Sequence, residues 1–335
     1  MKHPALDLVY MTTEVINDSG SEVLTGALNR STGQVTVIDR KKVHGRSTCH
    51  LEWDSGYKHL IAVSYWDSKL TTFAVSEDGS LEDAFQVYSD PGAWYVDSKH
   101  PDREEHLAHR QRWPHLHQVN LDPFSGKIFL VPDLGRDQVH YFSIKAGCIK
   151  HLGEDQITRG RGPRHMEFNI KHQVVYICGE LNNTVTVLKY NPTKVEDVLK
   201  GDFSGHVSEG NSLLSKIQVI STVPKDLGSK STIAEMRLHP SGGFLFVANR
   251  GNNSIAVYRV SPENGSLSLV TIHSSLGAFP RHFNFDVTGR FLLVGNHASD
   301  MIVVFRIHDN GCLELSDLLE GIPSIVWVTP VSLQN

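Results

Sequence analysis

Cysteine is scarce in this chain: four in 335 residues, at Cys49, Cys148, Cys178 and Cys312, far apart and without a Cys-x-x-Cys pair. That usage offers no zinc knuckle and fits a reducing compartment. Long apolar runs are missing as well. Nothing approaches the roughly 18 consecutive apolar residues of a membrane helix, and the start Met1-Lys2-His3-Pro4 has no signal-peptide core. The expected address is the cytoplasm, with no membrane partner. An excess of one charge is also absent, since 32 Lys and Arg stand against 37 Asp and Glu for a formal net charge of −5. Nucleic-acid phosphates would find no general basic surface here, so no nucleic-acid partner is expected. Hydrophobic residues at 40% and charged residues at 21% match an ordinary soluble globular chain.

What is present is a repeat. Pro163-Arg164-His165-Met166-Glu167-Phe168 returns as Pro280-Arg281-His282-Phe283-Asn284-Phe285, each followed by a polar turn and a hydrophobic strand. Aligned on these, His117 to Asp122, Ala234 to His239 and Cys49 to Asp54 open three more copies. Second strands follow at Lys127 to Pro132, Gln173 to Cys178, Gly243 to Ala248 and Arg290 to Gly295. Third strands follow at Asn183 to Tyr190, Asn253 to Val260 and Asp300 to Ile307. Short strands recurring every roughly forty to seventy residues indicate the blades of an all-β propeller, because one four-stranded unit cannot bury both of its faces without neighbours.

The two chain ends complete the count. Leu8 to Glu14 reads as a second strand without its opener, and Ile322 to Val328 as an opener without a successor. Paired, they would make a sixth blade, close the ring and remove exposed sheet edges. The repeats run from end to end, so residues 1–335 are expected to form a single propeller domain.

Two segments break the spacing, Asp90 to Pro114 and Asn191 to Ser215, and long loops on a rigid scaffold are frequent carriers of function. The apolar run Ile217 to Val223 after the second is expected to be an outer strand. His106, His109, His115 and His117 have spacings that a metal could use. No Cys or acidic residue accompanies them at a matching spacing, so no tight metal site is expected there.

The chain path in a blade locates the chemistry. The innermost strand leaves one face and the next returns to it, so the first residue of one meets the last residue of the other. The opening positions are His115, His117, Arg164, His165, Glu235, Arg281 and His282. The returning positions are Glu14, Tyr65, Asp133, Glu180, Asn249, Arg250, Asn296 and His297. His117, Arg164, Glu180 and Arg250, from three adjacent blades, are expected to face one volume. Two arginines suit an anionic substrate, because guanidinium groups bind carboxylate or phosphate through paired hydrogen bonds. A carboxylate and an imidazole beside them can move protons. The alternative is a ring of ion pairs that merely ties blades together.

At these residues the chain resembles the lactonase-family β-propellers, which include bacterial 6-phosphogluconolactonase and fungal 3-carboxy-cis,cis-muconate cyclase. The resemblance rests on His115-Leu116-His117, Val131-Pro132-Asp133-Leu134-Gly135, Gly162-Pro163-Arg164-His165, Gly179-Glu180-Leu181, Ala234-Glu235-Met236-Arg237, Ala248-Asn249-Arg250-Gly251 and Pro280-Arg281-His282-Phe283, in family order and spacing. In the cyclase branch it implies a reaction site at His117, Arg164, Glu180 and Arg250. In the phosphogluconolactonase branch it implies a phosphosugar-lactone site on the same rim, with His115, Asp133, His165, Glu235, Asn249, Arg281, His282 and His297 as substrate contacts. The family is not known to need a metal or other cofactor. The chain departs from it in offering six countable blades where members have seven, so that either an N-terminal blade is lacking or the ring closes with six, and in carrying Ser64-Tyr65 for the usual Asn-Tyr.

Three functions follow. Hydrolysis of a phosphorylated sugar lactone, in carbohydrate metabolism, is preferred. A lactonising cyclase acting on a carboxymuconate would use the same residues, and a propeller that has lost catalysis would serve as a binding scaffold. For hydrolysis Glu180 is the preferred base, since a neighbouring arginine favours its ionised form.

Overall fold

The computed structural model describes residues 1–17, 20–89, 110–200, 212–224 and 231–333. His106, His109 and most of the segment that begins at Asp90 lie outside the described residues, as does the centre of the segment from Asn191 to Ser215. The described chain is an all-β propeller with few helical turns, and it clusters into two compact units.

The first unit comprises Met1–Arg164 with Asn191–Leu213 and the last residues from Leu333. Its sheets are β1 (Leu8–Thr12), β2 (Glu22–Leu28) and β3 (Val35–Lys42); then β4 (Thr48–Trp53), β5 (His59–Ser64), β6 (Lys69–Val75) and β7 (Leu81–Ser89); then β8 (Asn120–Leu121), β9 (Ile128–Asp133), β10 (Gln138–Lys145) and β11 (Cys148–Gln156). A short helix, α1 (Val195–Lys200), stands beside the last of these, where Glu196 pairs with Lys127. The second unit comprises His165–Tyr190 and Leu214–Ser332. Its sheets are β12 (Pro163–Asn169), β13 (Val174–Gly179), β14 (Thr184–Tyr190) and β15 (Leu214–Ser221); β16 (Thr232–Leu238), β17 (Phe244–Arg250), β18 (Ser254–Val260) and β19 (Leu267–Ser274); and β20 (Pro280–Phe285), β21 (Phe291–Asn296), β22 (Met301–Ile307) and β23 (Leu313–Glu320). Each sheet is an antiparallel meander in chain order.

The burial of each strand follows its place in the meander. Second strands such as β9, β13 and β17 are buried at every position and read as apolar runs, with a polar residue at the end of β9 and β17 and directly after β13. Outermost strands such as β3 and β23 are largely exposed. Among the described residues, every outermost strand also slips register by a bulge against the third strand of its sheet. The extra residue raises the local twist.

The cores sit between successive sheets. In the first unit Tyr10, Val23, Trp53, Leu60 and Phe73 form one cluster, and Val63, Leu70, Val131 and Phe142 another. In the second unit Tyr176, Val187, Met236, Val247 and Tyr258 pack together, as do Phe246, Phe283, Phe285 and Phe305. One polar device recurs in both. Tyr10 in β1 donates to the Gly79 carbonyl at 2.6 Å, and Tyr176 in β13 donates to the Gly265 carbonyl at 2.7 Å. Both glycines lie in outer turns at positive φ, 82° and 76°, within the matching sequences Asp78-Gly79-Ser80-Leu81 and Asn264-Gly265-Ser266-Leu267. Tyr10 therefore occupies the second-strand position that its sequence implied.

Ring closure differs from expectation. The free edge of β1 is taken by the chain's own first residues: Tyr10 N donates to the Met1 carbonyl at 2.7 Å and His3 N to the Leu8 carbonyl at 2.8 Å. Ile322 to Val328 forms no strand. It runs as a strap along β20 and β21, where Ile325 and Val328 press against Gly295 of β21 and would meet any side chain there at 2.6 and 3.1 Å. Alternation of Ile, Val and Val in this segment suits a strand, but the tryptophan between the two valines finds a better partner in an imidazole of β20, described below. The expected pairing of the N- and C-terminal strands is thus corrected.

Candidate functional site

In the first unit the end of β5 and the run into β8 bring aromatic and imidazole groups together. Asp133, fully buried at the end of β9, accepts from the backbone N–H groups of His115, Gly135 and Arg136 at 2.8, 2.8 and 3.1 Å. That carboxylate fixes the turn carrying His115 and His117. Burial alone would raise the Asp133 carboxyl, but the His140 imidazole and these N–H groups bring it below the usual range. Tyr65 stacks on His115 with centroids 4.4 Å apart and meets His117 edge-on at 5.4 Å. The His117 carbonyl accepts from Cys49 Sγ at 3.1 Å, and Arg110 reaches the Tyr65 hydroxyl at 3.3 Å. Arg164 is buried where β12 begins. The loop leading to it is held by Asp137, whose carboxylate accepts from the N–H groups of Gly160, Arg161 and Gly162 at 2.8, 3.0 and 2.7 Å.

In the second unit two clusters form where second strands end and first strands begin. Glu180, just after β13, and Arg250, the last residue of β17, are both buried and lie 3.1 Å apart, Nη2 to Oε1. The same Nη2 donates to the Ile233 carbonyl at 2.7 Å, and the guanidinium sits 5.3 Å above the Phe279 ring. Ile233 N in turn donates to the Glu180 carbonyl, so β16 clamps both partners.

The other cluster centres on Glu235, lifted out of regular pairing by an irregularity between Ile233 and Met236. Its two oxygens lie 2.8 Å from His165 Nδ1 and 2.8 Å from His282 Nε2, with Arg237 Nη2 at 3.9 Å. First strands of three successive sheets therefore meet at one carboxylate. Burial opposes its charge, yet His165, Arg237 and His282 hold it well below the usual carboxylate range. Val328 N donates to His282 Nδ1 at 3.1 Å, which leaves the ring proton on Nε2, facing Glu235. The Trp327 ring covers His282 at 3.9 Å. Burial pushes His282 down to about 4, Glu235 opposing, so the ring is neutral at pH 7.

Other expected contacts have structural partners. Asn249 is fully buried, donating to the Thr222 carbonyl and Ser254 and accepting from the Thr222 hydroxyl. His297 lies 3.3 Å from the Ile325 carbonyl through Nδ1, tying β21 to the strap. Arg281 is half-buried in β20 beside His282. Reading the sequence left out Arg237, Trp327, Asp137 and Glu167 as members of these clusters. Arg237 was visible two residues after Glu235, but Trp327 reaches His282 across the sheet and carries no local signal. Glu167 in β12 is pushed up to about 8 by burial, with Arg237 pulling it back and Glu235 adding to the rise.

These buried arginine–carboxylate and carboxylate–imidazole groups, set where strands of repeated antiparallel sheets begin and end, define a propeller equipped for small anions and proton transfer. Residues 2–330 match the model of the seven-bladed β-propeller lactonases, and the chain belongs to that family. A 6-phosphogluconolactonase of Bacillus subtilis is 30% identical over 312 residues, 93% of this chain and 81% of that protein. A Bacteroides fragilis crystal structure described as a candidate 6-phosphogluconolactonase superposes with a TM-score of 0.80 at 25% identity, covering 97% of this chain and 84% of its own. A periplasmic gluconolactonase of Pseudomonas aeruginosa does so equally well, at 0.80 and 25% identity over 96% of this chain and 84% of its own. The family description has seven blades; six sheets occur among the described residues here.

Proposed function

We propose that this protein hydrolyses the lactone ring of a phosphorylated sugar acid, with 6-phosphogluconolactone as the substrate, in carbohydrate metabolism. The observation that carries the reading is the buried Glu180–Arg250 pair at 3.1 Å. Burying an ion pair is seldom rewarded in stability alone, whereas a fixed carboxylate beside a fixed guanidinium is what addition of water to an ester requires.

Glu180 accepts a proton as water adds to the lactone carbonyl carbon. Arg250 stabilises the negative oxygen of the tetrahedral intermediate. When the bond to the ring oxygen breaks, that oxygen takes the proton back from Glu180 and leaves as a hydroxyl; the new carboxylic acid loses its proton to solvent. His117 is the alternative base, and Arg164 the anchor for the phosphate. His115, His165, Arg281 and His297 would border the substrate, with Asp133, Glu235, Asn249 and His282 acting on it through the groups they hold. The arginines supply the positive charge, so the reaction is written without a metal or cofactor. No helix among the described residues is long and apolar enough to cross a membrane.

The test is acid release from freshly prepared 6-phosphogluconolactone, measured above the spontaneous rate for wild type and Glu180→Gln. Wild type at the blank rate overturns the hydrolase. Release of acid with no loss in Glu180→Gln transfers the role of base to His117. The relatives' names favour hydrolysis over the carboxymuconate cyclase and over a scaffold without catalysis.

A further inference from the structure

The third sheet carries a group of side chains that lactone hydrolysis leaves unused. His140 lies in β10, His151 and Glu154 in β11. Their nearest ligand atoms all fall within 4.8 Å of one another. His140 Nδ1 is 3.1 Å from His151 Nε2, and His151 Nε2 is 3.5 Å from Glu154 Oε2. A tetrahedral ion with nitrogen ligands at about 2.05 Å separates those nitrogens by about 3.4 Å. The observed spacings therefore sit close to the edges of such a coordination polyhedron.

We propose that His140, His151 and Glu154 form a binding site for a divalent transition metal of the zinc type. Two imidazoles and one carboxylate are the donor set that such ions favour, and a fourth position is left for water.

Three features of the fold build the site. Residues 151 and 154 are three apart, and in a regular strand they would point to opposite faces. The bulge in β11 removes that conflict: Gly153 stands opposite Tyr141 and His151 opposite Phe142, with Leu152 as the extra residue. Gly153 has φ 143°, a conformation that favours glycine, so the bulge is specified by sequence. Glu154 then stands directly across from His140. The second feature lies behind His140. Its other nitrogen, Nε2, is 3.5 Å from Asp133 Oδ2, inside the core. A carboxylate at that position favours the proton on Nε2 and leaves the Nδ1 lone pair directed at His151 and Glu154, as in the carboxylate–histidine–metal arrangement. The third is access. His140 is buried, while His151 and Glu154 are partly exposed, and Phe142 packs against the His151 ring at 5.1 Å. An ion can enter from solvent on the side of β11.

Occupancy would also brace the mouth of the first unit. Asp133 faces His140 with one oxygen at 3.5 Å and holds the His115 turn with the other, so a bound ion that orders His140 would also order the carboxylate that positions His115. The ion is structural in this account and takes no part in the reaction proposed above.

The experiment uses the full chain, stripped with a chelator and dialysed against Zn²⁺, then against Co²⁺ as a spectroscopic probe. One Zn²⁺ per chain is expected, together with the visible absorption of four-coordinate Co²⁺. His151→Ala and Glu154→Gln change partly exposed positions of an outer strand and are expected to keep the wild-type circular dichroism. Each should weaken Zn²⁺ binding at least tenfold and remove the Co²⁺ absorption. Asp133→Asn, which retains an acceptor for the His115 turn, should weaken binding by about tenfold, the usual size of such an effect. Failure of wild type to bind Zn²⁺ stoichiometrically overturns the proposal, as does unchanged binding in His151→Ala, which would mark adventitious capture by other histidines. Lactone turnover is measured separately, so loss of one reading leaves the other standing.

Discussion

Arg250 Nη2 stands between Glu180 Oε1 at 3.1 Å and the Ile233 carbonyl at 2.7 Å, one guanidinium nitrogen joining two sheets of the second unit. Both side chains are nearly inaccessible, at 2% for Glu180 and 7% for Arg250. The pair thus joins the fold at the place where chemistry is proposed, and a variant must separate the two roles.

Glu180→Gln keeps an acceptor for Arg250 but removes the charge. Loss of a general base lowers kcat by about a hundredfold or more, while the melting temperature falls because the arginine is left without a counter-charge. Steady-state kinetics and calorimetry on the same preparation check this. A stable variant with full kcat would show that Glu180 serves only to hold Arg250.

Arg164→Ala separates anchoring from folding. The KM for a phosphorylated lactone is expected to rise by about tenfold or more, the equivalent of one charged hydrogen-bonding contact, while the KM for an uncharged lactone changes little. Equal changes for both substrates would make Arg164 a structural residue.

The buried carboxyls Glu167 and Glu52 should each lose stabilising effect as pH rises from acid toward neutrality and beyond. The Glu167 carboxyl is raised to about 8 from an ordinary 4.5, and Glu52 to about 7, both by burial. Between 4.5 and those values the folded chain keeps protons that the unfolded chain has lost, so unfolding free energy declines with rising pH across that window. His282, lowered to about 4 from 6.5, has the opposite sign, with its gain complete by about pH 7. From pH 7 to 8 Glu167 is opposed by the Met1 amino group, which burial lowers to about 6 from 8.0 and whose contribution rises with pH across that window. Chemical denaturation of Glu167→Gln, an uncharged match of the protonated acid, should show stability rising more with pH than in wild type between pH 7 and 8; parallel profiles would refute the raised value.

Trp327 covers His282 from the strap. In Trp327→Ala water reaches the ring, and the imidazole that titrates near 4 should move up toward 6.5 as its desolvation is relieved. Proton NMR of the histidine resonances follows this directly. An unchanged titration would mean that the sheet, without the strap, sets its environment.

Tyr176→Phe leaves the Gly265 carbonyl unpaired in the core, and Tyr10→Phe does the same to Gly79. Each should cost about 1 kcal/mol, read from denaturant midpoints. Because both residues occupy the second strand of their sheets, similar losses would confirm that the two units use one device.

The recurrence of Pro-Arg-His with an apolar strand after it was enough to give the blades, and the second and third strands lie within a residue or two of their expected places. The order of rim residues was equally legible, because strand reversal forces the last residue of one strand beside the first of the next. That logic set Arg164 beside Glu180 and put His117 and Arg250 in the same volume; the contact Glu180 makes with Arg250 joins the ends of second strands in two neighbouring sheets. It missed the strap, since whether Ile322 to Val328 forms a strand depends on a free edge, and the Met1 to His3 segment had already covered that of β1. It also gave no hint of the metal site proposed above, because it weighed histidines by their spacing in the chain. His140 and His151 come together through cross-strand register and a bulge at Leu152 and Gly153.

What the sequence by itself determined is therefore the repeated local unit and the polar residues at its strand ends, both set by period and turn chemistry. What only the tertiary structure decided is which of those polar groups meet: Glu235 with two histidines from neighbouring sheets, His282 with Trp327, and His140 with Asp133. Such meetings depend on register, bulges and the packing of one sheet on the next, and these arise from the whole chain minimising buried unpaired charge at once.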